Sequence, residues 1–428
     1  MRVMVVGSGG REHALIWKLR QSARVSDLHA APGNPGIGEL ATLHPVGVDD
    51  LEGLTKLAGR IAADLVVVGP EAPLVAGLVD RLEAAGIRGF GPSAAAARLE
   101  GSKVFAKSVM DAARVPTARF TVCDTVPAAQ AAIADAAGRV VVKADGLAAG
   151  KGVFVCSSPA EAEQAARACL VERRFGESGA RVLIEQRMTG PEVSVLALCD
   201  GGRVLPLAPA RDAKRLLDGD EGPNTGGMGC VSPAPDVDAD LLAEIVRTVH
   251  QPVVNEMARR GTPFRGCLYA GLMMTPDGPR VLEFNTRFGD PETQVVLPCL
   301  RGDLAEALDA CADGSLEGIE LEAADEAAVT VVIAARGYPD APERGAPIDG
   351  IQAAEEIEGV IVFHAGTALD GQQLIAGGGR VLNVTATAPD HMTARERAYA
   401  ATDRIGMPGA HHRRDIALEV QNQEHQHV

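Results

Sequence analysis

Residues 143–153 read KADGLAAGKGV. A lysine and an acid precede three glycines, Gly146, Gly150 and Gly152, and Lys151 stands between the last two. Glycine bares backbone N–H groups and lysine adds a compact positive charge, so the stretch reads as a phosphate cradle. The P-loop version has the spacing G-x-x-x-x-G-K-[ST] and leads from a strand into a helix. Here Asp145 takes the place of the first glycine, and Gly152 replaces the hydroxyl that would face a metal. Both flanks, RVVVK and GVFVC, are β-branched runs of strand length. The loop therefore joins two strands, hairpin-like, over a sheet, and can fold down on a ligand.

Working outward, ARFTVC and RVLIEQ add two strands to this sheet, with the helix SPAEAEQAARACLVE inserted among them. The first hundred residues differ: VMVVG, DLVVVGPE and IRGFGPS alternate with amphipathic stretches such as REHALIWKLRQS. Strands alternating with helices predict a parallel sheet covered on both faces, with ligands at the carboxyl ends of its strands. Beyond residue 190 come the strands EVSVLALCD and RVLPLAPA, then a polar loop from Arg211 to Gly229. A long helix near DADLLAEIVRTVHQPVVNEMARR follows, and then the strands CLYAGLMMT and RVLEFNTR. The remainder reads as a small α+β unit ending in a frayed tail, QNQEHQHV.

A chain of 428 residues suits about three domains. Hydrophobic residues reach 46% but aromatics only 3%, so the cores are aliphatic. A net charge of -16 and so few aromatic platforms argue against nucleic acid as a partner. The eight cysteines include no C-x-x-C pair, which suits small buried hydrophobes in a reducing compartment. The apolar run in MRVMVVGSGG is too short for a signal peptide or a membrane span. The expectation is a soluble cytoplasmic protein with no membrane partner.

GSGGREH, Gly7 to His13, carries a strand through glycines into a helix, where backbone N–H groups and the helix dipole favour an anion. Glu12 holds the third glycine position of G-x-G-x-x-G, which makes a dinucleotide a poor fit. Gly9, Gly10 and Arg11 are the candidates for a phosphate, against the plainer reading of a tight turn. In RVLEFNTRFGDPET, strand alternation turns Leu282 and Phe284 to a core and lines up Glu283, Asn285 and Arg287 on the other face. A carboxylate, an amide oxygen and a guanidinium in one row suit a hard divalent cation beside an anion. The rival is a solvated edge strand. Lys143 and Asp145 share a face of a buried strand, where a lysine rarely serves packing alone. Glu185 and Glu192 flank a short turn and could take an adenine amine and ribose hydroxyls. Lys103 opens a helix. Asp212 and Lys214 lie in the Arg211–Gly229 loop, where a mobile solvated loop is the alternative. Neither H-E-x-x-H nor G-x-S-x-G occurs, which lowers the case for zinc hydrolases and serine triads.

GSGGREHA, APGNPG, VGPEAPL, LEGSKVFAK, VVKADGLAAGKGV, GDEGPNTGGMG, LYAGLMM, LEFNTRFGDPETQ and FHAGT occur in that order. Together they resemble the phosphoribosylamine–glycine ligase (glycinamide ribonucleotide synthetase) family of the ATP-grasp superfamily, over nearly the whole chain. The resemblance implies an α/β and α+β multidomain fold: an N-terminal parallel α/β domain (1–101), a central ATP-grasp domain (102–325) with a small lid near 118–190, and a C-terminal α+β domain (326–428). It implies ATP-dependent joining of glycine to 5-phosphoribosylamine, with Mg²⁺ or Mn²⁺ and a monomer as the working expectation. By similarity Lys103, Lys143, Gly150, Lys151, Glu185 and Glu192 contact ATP, and Glu283 and Asn285 bind the metal. Arg287, Asp212 and Lys214 serve the chemistry. Gly9, Gly10, Arg11, Asp290 and Pro291 hold substrate. The sequence departs at Arg211 and Ala213, where many members carry glutamine and a bulky aromatic or histidine. An ATP-grasp ligase for another acid or amine is the alternative, and a nucleotide-binding module or dinucleotide oxidoreductase is a more distant one.

Overall fold

The computed structural model describes residues 1–136, 139–148 and 152–418. The N-terminal strands are β1 (Arg2–Gly7), β2 (Asp27–Pro32), β3 (Thr42–Leu43), β4 (Leu65–Val68) and β5 (Arg88–Phe90), all parallel in the order β3-β2-β1-β4-β5. In β1, Val3 and Val5 enter one apolar cluster while Met4 and Val6 enter another. Burial on both faces explains why the strand is an unbroken apolar run. The strand order reverses between β1 and β4, and the crevice opens at their carboxyl ends.

The glycine-rich stretch lies in an antiparallel sheet of β6 (Phe120–Cys123), β7 (Val140–Ala144), β8 (Val153–Val155) and β9 (Val182–Gln186), in the order β6-β9-β7-β8. Helices Val126–Asp135 and Pro159–Leu170 share its apolar cluster. Residues 145–152 connect β7 to its neighbour β8, as the hairpin reading predicts, and Ala144 N–H donates to Gly152 O at 2.8 Å. Gly150 and Lys151 lie outside the described residues.

Next come β10 (Glu192–Asp200), β11 (Val204–Pro206), β12 (Arg211–Asp212), the hairpin β13 (Arg215–Leu217) and β14 (Glu221–Asn224), and β15 (Gly229–Ser232). The long helix starts at Ala239–Ile245, passes through a π-helical turn at Val246–His250 and ends as Gln251–Arg259. Pro252, which has no N–H to donate, accounts for the break in its ladder. β16 (Arg265–Thr275) and β17 (Gly278–Asn285) then complete a sheet of order β11-β10-β16-β17, with β17 at the edge. After the short pair β18 (Leu300–Arg301) and β19 (Glu322–Ala323), the last strands are β20 (Ala327–Ala334), β21 (Val360–His364), the hairpin β22 (Thr367–Asp370) and β23 (Gln373–Ala376), and β24 (Arg380–Ala388). Their sheet has the order β12-β15-β20-β24-β21. The Arg211–Gly229 segment is thus anchored at both ends in the C-terminal sheet through β12 and β15, while the β13–β14 hairpin between them is exposed over residues 217–224. The described cysteines are all buried and unpaired. Among the described residues no helix is long and apolar enough to cross a membrane.

Candidate active site

The parallel sheet, the glycine-rich hairpin, β17 and the C-terminal sheet enclose a cleft of about 820 Å³. Arg11, Lys103, Glu185, Asp212, Lys214, Glu283, Asn285, Arg287 and Asp290 all line it. Arg11 and Asp290, 279 residues apart in sequence, thereby meet in one space.

The row on β17 forms with one correction. A bulge sets Leu272 opposite Val281 and Gly271 opposite Glu283, leaving Leu282 as the extra residue. The core residues are therefore Val281 and Phe284, and Leu282 lines the cleft with Glu283 and Asn285. Burial works to raise the Glu283 carboxyl, but Lys214, Lys103, Lys143 and Arg287 outweigh it and hold it below its ordinary range. Arg287 donates to Asn285 Oδ1 at 3.4 Å and to Phe288 O at 3.2 Å. Among the described residues no group of three or more acids, histidines or cysteines could cage a metal. An anionic carboxylate and an amide oxygen fit a cation that completes its shell with water and phosphate oxygens.

Glu185, in β9, is almost fully buried between two lysines. Lys143 Nζ lies 3.1 Å from Oε2 and Lys107 Nζ 3.3 Å from Oε1. Lys143 also donates to Leu282 O at 2.9 Å, and Lys107 to Thr117 Oγ1 at 2.7 Å. Glu185 Oε1 has no hydrogen-bond partner beyond its ion pair with Lys107, so the carboxylate stands at the cleft wall inside a buried Lys–Glu–Lys cluster. Burial lowers the Lys107 ammonium to about 8, against the pull of Glu185. Lys107 lies in the quoted LEGSKVFAK, but nothing in its spacing set it apart from an ordinary helix lysine.

On the other wall, Lys214 donates to Glu192 and stands 3.9 Å from Asp212 Oδ1. Burial raises the Asp212 carboxyl to about 7; Lys214 opposes this, while Glu292 and Glu192 add to it. Glu292 Oε1 accepts from Tyr269 OH at 3.0 Å and Ser194 Oγ at 3.1 Å. The sequence reading missed Tyr269 and Glu292, although both sit inside quoted motifs. Of the two departures, Arg211 pairs with Asp236, and Ala213 packs against the C-terminal cluster.

The Gly9–Arg11 turn opens helix Gly10–Leu19. Glu12 Oε2 accepts the Gly9 N–H at 2.6 Å, and Arg11 Nε meets Glu12 Oε1 at 2.5 Å. The protein's own carboxylate thus occupies the crevice where a third glycine would leave room for a pyrophosphate. A Cβ on Gly69 would come within 2.1 Å of Glu12 Oε1, so the end of β4 keeps that space clear. Gly10 is a packing glycine: its Cβ would fall 2.3 Å from Asn383 Nδ2 and 2.6 Å from Gln294 Nε2. Pro291 packs against Gly227. Of the predicted substrate residues, Arg11 and Asp290 reach the cleft, while Gly9, Gly10 and Pro291 support its wall. Burial works to raise the Asp290 carboxyl, but Arg380 and Arg11 hold it low. Arg380, from β24, donates to Gly226 O at 2.5 Å and to Asp290 O at 2.9 Å. No local pattern in GRVLNV marks it.

The chain matches the N domain of Phosphoribosylglycinamide synthetase over residues 1–100, its ATP-grasp (A) domain over 101–293 and its C domain over 328–419. The chain belongs to this family. The phosphoribosylamine–glycine ligase of Streptomyces coelicolor is 54% identical over 423 residues, covering 98% of this chain and 99% of that protein. The corresponding protein of Mesorhizobium japonicum is 50% identical over 420 residues, with 98% of each covered. A crystal structure of phosphoribosylamine–glycine ligase from Thermotoga maritima superposes with a TM-score of 0.86 at 35% identity, covering 97% of this chain and 100% of that one. The biotin carboxylase domain of Hydrogenobacter thermophilus 2-oxoglutarate carboxylase shares the fold at a TM-score of 0.72 and 18% identity, over 96% and 91% of the two chains.

Proposed function

We propose that the protein joins glycine to 5-phosphoribosylamine with ATP, giving glycinamide ribonucleotide, ADP and phosphate, a step of purine biosynthesis. The observation that carries this reading is the cleft: one wall offers Glu283 and Asn285, another offers Glu185 and Lys103, and Asp212 faces them, while Lys143 stands behind the wall, paired with Glu185, and Glu192 is not among the lining residues. The family membership fixes the reaction class to which that cleft belongs.

In this reading Glu185, held between Lys107 and Lys143, takes the adenine amine, and Glu192 takes ribose hydroxyls. Lys103, Lys143 and the 145–152 loop with Gly150 and Lys151 neutralise the phosphates. Glu283 and Asn285 would hold a divalent cation, Mg²⁺ or Mn²⁺. Bound there, it would offset charge building on the phosphoryl oxygens. Arg287 receives the carboxylate of glycine. A carboxylate oxygen attacks the γ-phosphorus, the bond to the bridging oxygen breaks, and ADP leaves. The amine of phosphoribosylamine then attacks the acyl carbon of glycyl phosphate, and phosphate departs. Asp212, poised near neutrality, accepts the amine proton. Lys214 holds Asp212 in place. Arg11 and Asp290, on the supporting turn of Gly9, Gly10 and Pro291, orient the phosphoribosyl group. Residues 118–190 form the lid of a central unit 102–325, between units 1–101 and 326–428, and closing it shields the acyl phosphate from water.

The test is ADP release with MgATP, glycine and phosphoribosylamine generated in situ, omitting one component at a time. Release that needs all three upholds the proposal. Release with another acid or amine replacing these would keep the chemistry and change the substrate.

A further inference from the structure

Arg287 is gripped by two acids that the proposed chemistry does not use. Glu71 Oε2 lies 3.4 Å from its Nε, on a side chain that is 34% exposed. Glu100 Oε1 lies 3.2 Å from its Nη2, on a side chain that is only 6% exposed. The second oxygen of Glu100 accepts the Thr286 N–H at 2.7 Å and the Thr286 hydroxyl at 3.0 Å. One buried carboxylate therefore fixes both the guanidinium of Arg287 and the backbone between Asn285 and Arg287.

Glu100 sits in the last turn of helix Ala94–Gly101, with only Gly101 between it and Ser102 and Lys103. Ser102 caps the next helix and donates to Asp145 Oδ1 at 2.8 Å, at the start of the glycine-rich loop. Residues 100–102 thus tie the exit of β17 to the entry of that loop. Burying a carboxylate this deeply is costly, and burial does push the Glu100 carboxyl up. A fold that keeps an acid there keeps it for the cation it faces. A guanidinium fork recognises a carboxylate in a fixed plane, so its aim depends on its partners.

We infer that Glu100 is a positioning residue, which aims Arg287 at the carboxylate of the acid substrate and holds Asn285 in line beside it. The inference rests on the role of Arg287 in the proposed function and deepens it.

Glu100→Gln separates the two jobs. The amide oxygen can still accept from Thr286, but the amide nitrogen then faces the Arg287 donors. The expected result is a rise in KM for glycine of roughly tenfold, the scale of one lost charge-assisted bond, with KM for ATP within about twofold of the parent. On an Arg287→Lys background the same change should cost less than about twofold, because the two residues act as a unit. A crystal structure of Glu100→Gln should show Arg287 displaced while Asn285 and Thr286 stay. Glu100→Asp keeps the charge but withdraws it, and a smaller shift in the same constant is expected. It stands in as the test variant if Glu100→Gln does not fold. Unchanged glycine kinetics, equal rises in KM for every substrate, additive losses with Arg287→Lys, or an unmoved Arg287 would each overturn the inference. Wild-type enzyme that ignores glycine would remove the proposed function instead, and the position of Arg287 in the variant crystal would still decide this one.

Discussion

Glu283 and Asp212 face the same cleft but carry opposite electrostatic burdens. Four cations keep Glu283 ionised, so removing its carboxylate would deprive the proposed divalent cation of its only charged protein oxygen in the β17 row. Glu283→Ala should slow glycine-dependent ADP release by about 10²-fold or more, with the melting temperature little changed. Magnesium titration of the variant checks this: parental turnover at ordinary magnesium would refute the ligand assignment. Asp212 is raised to about 7, chiefly by burial, so it becomes protonated as pH falls through neutrality. A base that must be ionised then loses activity on the acid side. The kcat profile should fall below about pH 7, and Asp212→Asn should lower kcat by ~10²–10⁴-fold and erase that limb. Alternation along RVLEFNTR was enough to find Glu283, Asn285 and Arg287, because a strand reports its faces in period two. Lys107, Tyr269, Glu292 and Arg380 were not legible, because their partners arrive from other elements and no local spacing encodes them.

At the scale of elements, the carboxyl end of the parallel sheet was legible as a ligand crevice, but its contents were not. Glu12 was read as a residue that spoils a fingerprint. The structure shows its carboxylate filling the crevice, bonded to Gly9 N–H and flanked by Gly7 and Gly69. Gly69 is needed for space alone, since a methyl group there would meet Glu12 Oε1 at 2.1 Å. Gly69→Ala should expel Glu12 and release Arg11 from it, raising KM for phosphoribosylamine by about tenfold while ATP binding persists. Pairing Gly69→Ala with Glu12→Ala relieves the clash. If the crowding argument holds, the double variant should melt above Gly69→Ala alone; equal or lower melting would reject it. The bulge in β17 escaped the sequence for a related reason: an inserted residue leaves the apolar pattern plausible in either register, and only pairing with β16 decides between Leu282 and Val281.

For the whole molecule, the order of nine motifs made the family legible, yet the closure of the chain on itself was not. His13, in the first helix, accepts the His364 N–H at Nδ1 over a distance of 2.8 Å, joining the N-terminal unit to β21 across 351 residues. Asn34 adds a bond from its Nδ2 to His364 O at 2.9 Å. Burial holds His13 neutral, with a pKa of about 3 aided by His364, and His364 at about 4. In the unfolded chain both titrate near 6.5. Between those values the unfolded state binds more protons than the folded one, so stability falls as pH drops from about 6.5 toward 4. The slope approaches about 1.4 kcal/mol per pH unit for each histidine that stays neutral. His250, buried against Val195 O with a pKa of about 4, adds a contribution of the same sign from the central sheet. Carboxylates held low, such as Asp290, act in the same direction but only below their unfolded pKa near 4, so the two windows separate. Asp212, raised to about 7, and Glu100, also raised, act with the opposite sign over the same window, so the histidine contribution is read as the difference between parent and variant in thermal melts from pH 7.5 to 4.5. His13→Asn offers an amide oxygen where Nδ1 accepted and cannot titrate. Its decline over that window should be shallower than the parent's, and an identical slope would mean that the His13–His364 junction does not govern acid stability.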